Sequence, residues 1–191
     1  MNERQNSYDI KKLVYLAVLT ALVFVLQIVA NISGAVLATP ITLTLVPIVI
    51  GTALVGKFSG VWLGSVFGMA TLITGAAEPF FTVNPLGTVV TVMVKGMLAG
   101  LVAGLIYSLF KDKNKYVAIL AAAFAAPIVN TGVFAVGCYL FFYDFVASLA
   151  GGTNIFPFIV TGFAGINFLI ELLVNIVLAP TILRLIIIRR D

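Results

Sequence analysis

Residues 84–104 read NPLGTVVTVMVKGMLAGLVAG. Apart from Lys95 the stretch carries no charge, and it is long enough to cross hydrocarbon, which takes about 20 residues at a rise of 1.5 Å each. Two faces are written into it at helical spacing. Gly96, Gly100 and Gly104 recur every four residues and form a small-residue ridge, along which a second helix can approach closely. Asn84, Thr88, Thr91 and Lys95 follow at spacings of four, three and four, so they form a polar stripe on another side. A charged side chain at bilayer depth costs about 2.5–3.5 kcal/mol on insertion scales, which makes Lys95 a candidate for function.

The rest of the chain repeats this apolar character. Of 191 residues, 62% are hydrophobic and 9% charged, and the mean hydropathy is +1.19. A soluble core of this size has no room for that much apolar side chain. Six apolar segments can be drawn, at 12–32, 41–55, 58–75, 86–110, 116–143 and 157–188. The predicted fold is therefore an all-α integral membrane protein, a single six-helix bundle over 1–191 with both termini cytoplasmic. The second segment is short and contains Pro47, where helical continuity is expected to break, a feature tolerated only under protein or beside a cavity. The stretch from Leu13 to Ala30 is too long for a signal-peptide core and is read as a first span.

Charge sets the orientation. Ten of the eleven Lys and Arg residues, Arg4, Lys11, Lys12, Lys57, Lys111, Lys113, Lys115, Arg184, Arg189 and Arg190, fall on one side of such a bundle. The opposite loops hold Glu78 and Asp144 and no cation, so the basic side is expected to be cytoplasmic. The net charge of +4 is explained by this sorting rather than by nucleic-acid binding, since the basic residues come in small separated groups. The external connections are the longer ones. They carry Gly34, Pro40, Pro79, Pro85, Gly151 and Gly152, together with Phe80, Phe81 and Phe156, which could close over a cavity mouth.

Further polar groups lie inside the spans. Glu171 is the one candidate counter-charge at bilayer depth and is flanked on its own helix face by Asn167 and Asn175. A direct contact with Lys95 would have to bridge roughly 8 Å of depth. Asn130, beside Pro127 and Thr131, completes a set that can converge between the last three helices, with interhelical amide bonding as the competing role. Phe134, Tyr139, Phe141, Phe142 and Tyr143 are read mostly as interfacial or lipid-facing aromatics. In the third segment Gly56, Gly60, Gly64 and Gly68 form a second four-residue ridge, expected to serve helix packing. The chain has no His and one cysteine, Cys138. There is no close carboxylate pair, phosphate loop or metal-ligand cluster, so enzymatic chemistry, a metal and a bound cofactor are not expected.

Residues 45–68, LVPIVIGTALVGKFSGVWLGSVFG, and residues 84–104 resemble the substrate-binding S components of energy-coupling factor (ECF) vitamin transporters, closest to the pantothenate type. The resemblance implies a high-affinity vitamin-binding subunit of the cell membrane. It also implies partners, a transmembrane coupling subunit and two ATP-binding-cassette ATPases, docked through an Ala-x-x-x-Ala patch in the first helix. Ala17 and Ala21 match that patch. The family's mechanism implies binding at an external pocket, followed by toppling within the bilayer. On this reading Lys95 anchors a vitamin carboxylate, with Asn84, Thr88, Thr91, Asn130, Asn167 and Glu171 around it. Riboflavin, pyridoxine or a pyrimidine-like vitamin by the same mechanism remains open, as do a proton-coupled carrier acting alone with Glu171 titrating, and a scaffold without transport.

Overall fold

The computed structural model of the chain describes residues 3–37, 43–151, 154–159 and 165–188. Among these, every regular element is a helix: α1 (Glu3–Leu37), α2 (Leu45–Leu54), α3 (Ser59–Ile73), α4 (Glu78–Phe81), α5 (Pro85–Phe110), α6 (Lys115–Phe141), α7 (Tyr143–Leu149), α8 (Ile155–Phe158) and α9 (Ile166–Ile188). Three helices have the length and apolar composition to cross a bilayer: the 9–34 part of α1, α5 and α6. α2, α3 and the apolar part of α9 are shorter. α1 runs past both ends of the expected 12–32 span. The 157–188 segment contains part of α8 and all of α9, with residues 160–164 outside the described set.

Pro47 does not interrupt α2. It sits in the first turn, where its missing N–H would have had no intrahelical partner, and the helix continues to Leu54. At ten residues α2 rises only about 15 Å, too little to cross hydrocarbon. It is instead the centre of the bundle, touching α1, α3, α5, α6 and α9. Leu45, Ile48 and Val49 are fully buried there against Leu19, Val23, Leu63 and Phe67.

α5 lies between α3 and α6, antiparallel to both. Carbonyl and backbone atoms of Gly100 crowd Gly60, and those of Gly96 crowd Gly64, so the two predicted ridges face each other. One turn further, Gly104 abuts the backbone of Lys57. A Cβ at any of these positions would overlap the facing backbone, which is why the contact requires glycine. On the other side of α5, Gly87 lies against Phe141 and Gly137 against Thr91.

Asn side chains mark where the two long helices begin. Asn84 Oδ1 accepts from Gly87 N at 2.9 Å to cap α5, with Pro85 at the first helical position. Asn114 Oδ1 accepts from Tyr116 N at 2.8 Å and Val117 N at 3.2 Å to cap α6. Both satisfy otherwise orphaned amides. The α2–α3 and α5–α6 connections are tight, and the Lys57–Gly104 contact brings them to the same end. At the opposite end, α4 and α7 meet through Phe80, whose ring lies edge-on to Phe142 at 5.0 Å and Phe145 at 5.6 Å.

Candidate functional site

Lys95 projects from the middle of α5 into the gap flanked by α3 and α6. Its Nζ lies 5.3 Å from the centroid of Phe67 on α3 and 5.3 Å from that of Phe134 on α6. Both rings offer the negative face of their quadrupole to the ammonium, a contact worth about 0.5–2 kcal/mol depending on desolvation. Phe134 is held in turn by Phe80 of α4, edge-on at 5.5 Å. The side chain of Lys95 is only partly buried, whereas Phe67 is 2% exposed. Among the described residues no acid lies within ion-pair distance of Nζ; Glu171 is the carboxylate whose charge reaches it at longer range.

Deeper in the bundle, Asn130 of α6 donates from Nδ2 to Glu171 Oε2 of α9 at 3.4 Å. Asn175 Nδ2 donates to the Glu171 carbonyl at 2.8 Å, one turn along the same helix. All three residues are buried. Phe134 and Asn130 are four residues apart on α6, so the group beside the cation and the group beside the acid are separated by about 6 Å of rise. That offset separates the ring contact of Lys95 from the amide contact of Glu171 along α6.

The polar stripe of α5 divides into two halves. At the N-terminal end, Asn84 uses its oxygen as the helix cap, and Thr88 Oγ1 donates to the Asn84 carbonyl at 2.9 Å. Nearer Lys95, Thr91 Oγ1 is buried without a hydrogen-bond partner among the described residues, and the same holds for Asn130 Oδ1. Burying such a group unpaired costs about 1–3 kcal/mol. Thr91 lies against Gly137 of α6, so its hydroxyl is enclosed at the α5–α6 contact. Asn167 belongs to α9 by its backbone, and its side chain lies outside the described residues, as does that of Phe156.

Two features escaped the reading of the sequence. Phe67 is hidden in an apolar run, yet antiparallel pairing of the glycine ridges brings it to within about a turn of Lys95, so the signal existed. Gln27 and Thr44 form a buried pair in which Thr44 Oγ1 donates to Gln27 Oε1 at 3.3 Å, and nothing in their spacing announces it. The aromatic expectation needs correcting at Phe142, which is 2% exposed and packs with Cys138, Val146 and Ile159. Tyr139, Phe141 and Tyr143 are exposed as expected.

Ala17 and Ala21 lie on the outer surface of α1, among exposed Leu13, Val14, Val18 and Val25. The inward face of the same helix carries Leu19, Val23, Gln27 and Ala30.

A bundle of apolar helices that keeps a lysine, a glutamate and several amides between its members is the architecture of a membrane-embedded protein. Residues 11–183 match the family model of the ECF transporter, substrate-specific component, and the chain belongs to that family. It is accordingly a substrate-binding subunit of a vitamin-type transporter rather than an enzyme, and S components couple to ECF modules. No curated protein and no solved structure matches the chain.

Proposed function

We propose that this S component captures pantothenate, with Lys95 as the anchor for its carboxylate. The observation that carries the reading is the Lys95 ammonium, set among apolar helices with aromatic instead of ionic neighbours, so that a negatively charged ligand is the natural partner. Pantothenate also brings hydroxyl and amide groups. Support for Thr91 Oγ1 and Asn130 Oδ1 as partners of those groups comes from their burial without a hydrogen bond among the described residues. Asn84 and Thr88 shape the N-terminal end of α5, Glu171 supplies the α9 wall, and Asn167 is included as a residue of the same helix.

The proposal includes a single six-span domain in a bacterial cytoplasmic membrane, with the Lys57 and 111–115 end inside. Support comes from the opposed ends of the bundle, the cations of the α2–α3 and α5–α6 turns at one and Glu78 and Asp144 at the other. The binding end then opens outward. α2 and α3 are too short to span as straight helices exposed to lipid, and burial of α2 within the bundle is what would let its crossing include non-helical backbone covered by protein. Ala17 and Ala21 form the flat patch on which a coupling subunit docks, supported by their outward orientation. Two ATPases bound to that subunit supply the energy, and the S component topples to deliver its load.

Calorimetry in detergent tests the substrate. Wild type binds pantothenate, and Lys95→Ala weakens it by tenfold or more, corresponding to about 1.4 kcal/mol or greater. Equal affinity of the two proteins removes Lys95 from the site. Mass spectrometry of the molecule that co-purifies provides the independent check, and a neutral or cationic vitamin there rejects the carboxylate anchor.

A further inference from the structure

This inference rests on the substrate reading above and concerns how the site keeps its positive charge free. Lys95 and Glu171 are opposite charges in one apolar bundle, where their attraction is much stronger than in water. The lysine stem is flexible, and the ring beside Lys95 and the amide beside Glu171 sit one helical turn apart on α6. Closure of the ammonium onto the carboxylate would neutralise both and leave little for an anionic ligand to bind. The arrangement observed is different. Nζ lies at 5.3 Å from each of two ring centroids on separate helices, and the Glu171 carboxylate is engaged by Asn130 at 3.4 Å.

The rings are fixed in place by their own packing. Phe67 is buried beside Gly96, whose missing side chain leaves it room. Phe134 abuts Phe80, which is itself braced by Phe142 and Phe145. An aromatic face attracts a cation without supplying a lone pair to its N–H groups, so the ammonium keeps all three donors. A carboxylate ligand can take those donors without first displacing an internal acid.

We propose that Phe67 and Phe134 are positioning residues that hold the Lys95 ammonium away from Glu171, with Asn130 restraining the acid, so that the cation stays available to an anionic ligand.

The direct test needs no ligand. The full chain in lipid bilayers, labelled with 15N at lysine Nζ and 13C at glutamate Cδ, is measured by dipolar-recoupling solid-state NMR. Wild type is expected to show no ion-pair contact between Lys95 and Glu171, and Phe67→Leu/Phe134→Leu to show one that Glu171→Gln abolishes. A contact already present in wild type overturns the proposal, as does its absence from the double variant. Should the double variant not fold, Phe134→Leu alone is held to the same two outcomes. Pantothenate calorimetry adds a second readout: Phe134→Leu weakens binding about tenfold, and Glu171→Gln in that background recovers most of the loss. No recovery means that Phe134 merely packs, and the proposal fails. If wild type itself does not bind pantothenate, the substrate assignment falls while the NMR contact decides the positioning role on its own.

Discussion

Asn130 and Glu171 join α6 to α9 through one buried amide-to-carboxylate hydrogen bond of 3.4 Å. The bond ties the last long helix to the element that also carries Phe134, and it leaves Asn130 Oδ1 buried without a hydrogen bond among the described residues. Asn130 therefore has a structural half, its Nδ2, and a carbonyl oxygen that makes no hydrogen bond among the described residues.

Those halves are separable by substitution. Asn130→Leu removes both and is expected to lower stability by about 1–2 kcal/mol, the range for interhelical hydrogen bonds in membranes. Asn130→Asp places a second carboxylate against Glu171 and is expected to destabilise more, because like charges in an apolar setting repel strongly. Thermal unfolding in detergent at neutral pH checks the order: wild type above Asn130→Leu above Asn130→Asp.

Glycine substitutions should diverge sharply by position. A Cβ at Gly64 would run into the carbonyl of Gly96, so Gly64→Val has to push α3 and α5 apart and is expected to cost about 1–3 kcal/mol or more. Gly132 on α6 has no atom within 4 Å of a built Cβ. Gly132→Ala is therefore expected to be neutral or to stabilise by about 0.5–1 kcal/mol, the helix-interior difference between the two residues. Comparable losses of melting temperature in both variants would contradict the facing-ridge packing.

Asn84 belongs to the polar stripe but caps α5. Replacing it with Ala is expected to cost about 0.5–2 kcal/mol of stability, while Asn84→Asp or Asn84→Ser, which keep an acceptor oxygen, recover most of it. Pantothenate affinity at a temperature where all variants are folded should change little. A large loss of affinity with unchanged melting would assign Asn84 to ligand contact instead.

Ala17 faces outward from α1, so Ala17→Trp adds bulk to the surface and none to the core. Melting temperature and ligand affinity are expected to match wild type, while co-purification with the coupling subunit is lost. Retention of the complex would move the docking patch elsewhere.

Much of this protein could be read along its sequence because membrane insertion is decided by local composition. A long apolar stretch such as 86–110 or 116–143 must become a helix, since lipid offers its amides no other partner. The isolated Lys95, the Asn84–Thr88–Thr91–Lys95 stripe and the ridges at Gly60–Gly64 and Gly96–Gly100 follow from helical periodicity, which spacing alone reveals. Which ridge meets which, however, is a relation between segments, and so are the burial of ten-residue α2 at the centre and the harmless placement of Pro47. The same is true of the chemistry. Sequence supplied a lysine and a glutamate at different depths. Only the packing of α3 and α6 against α5 turned phenyl faces toward the lysine, and only that of α9 against α6 turned an amide toward the glutamate, because side chains distant along the chain share space only after the backbones have met.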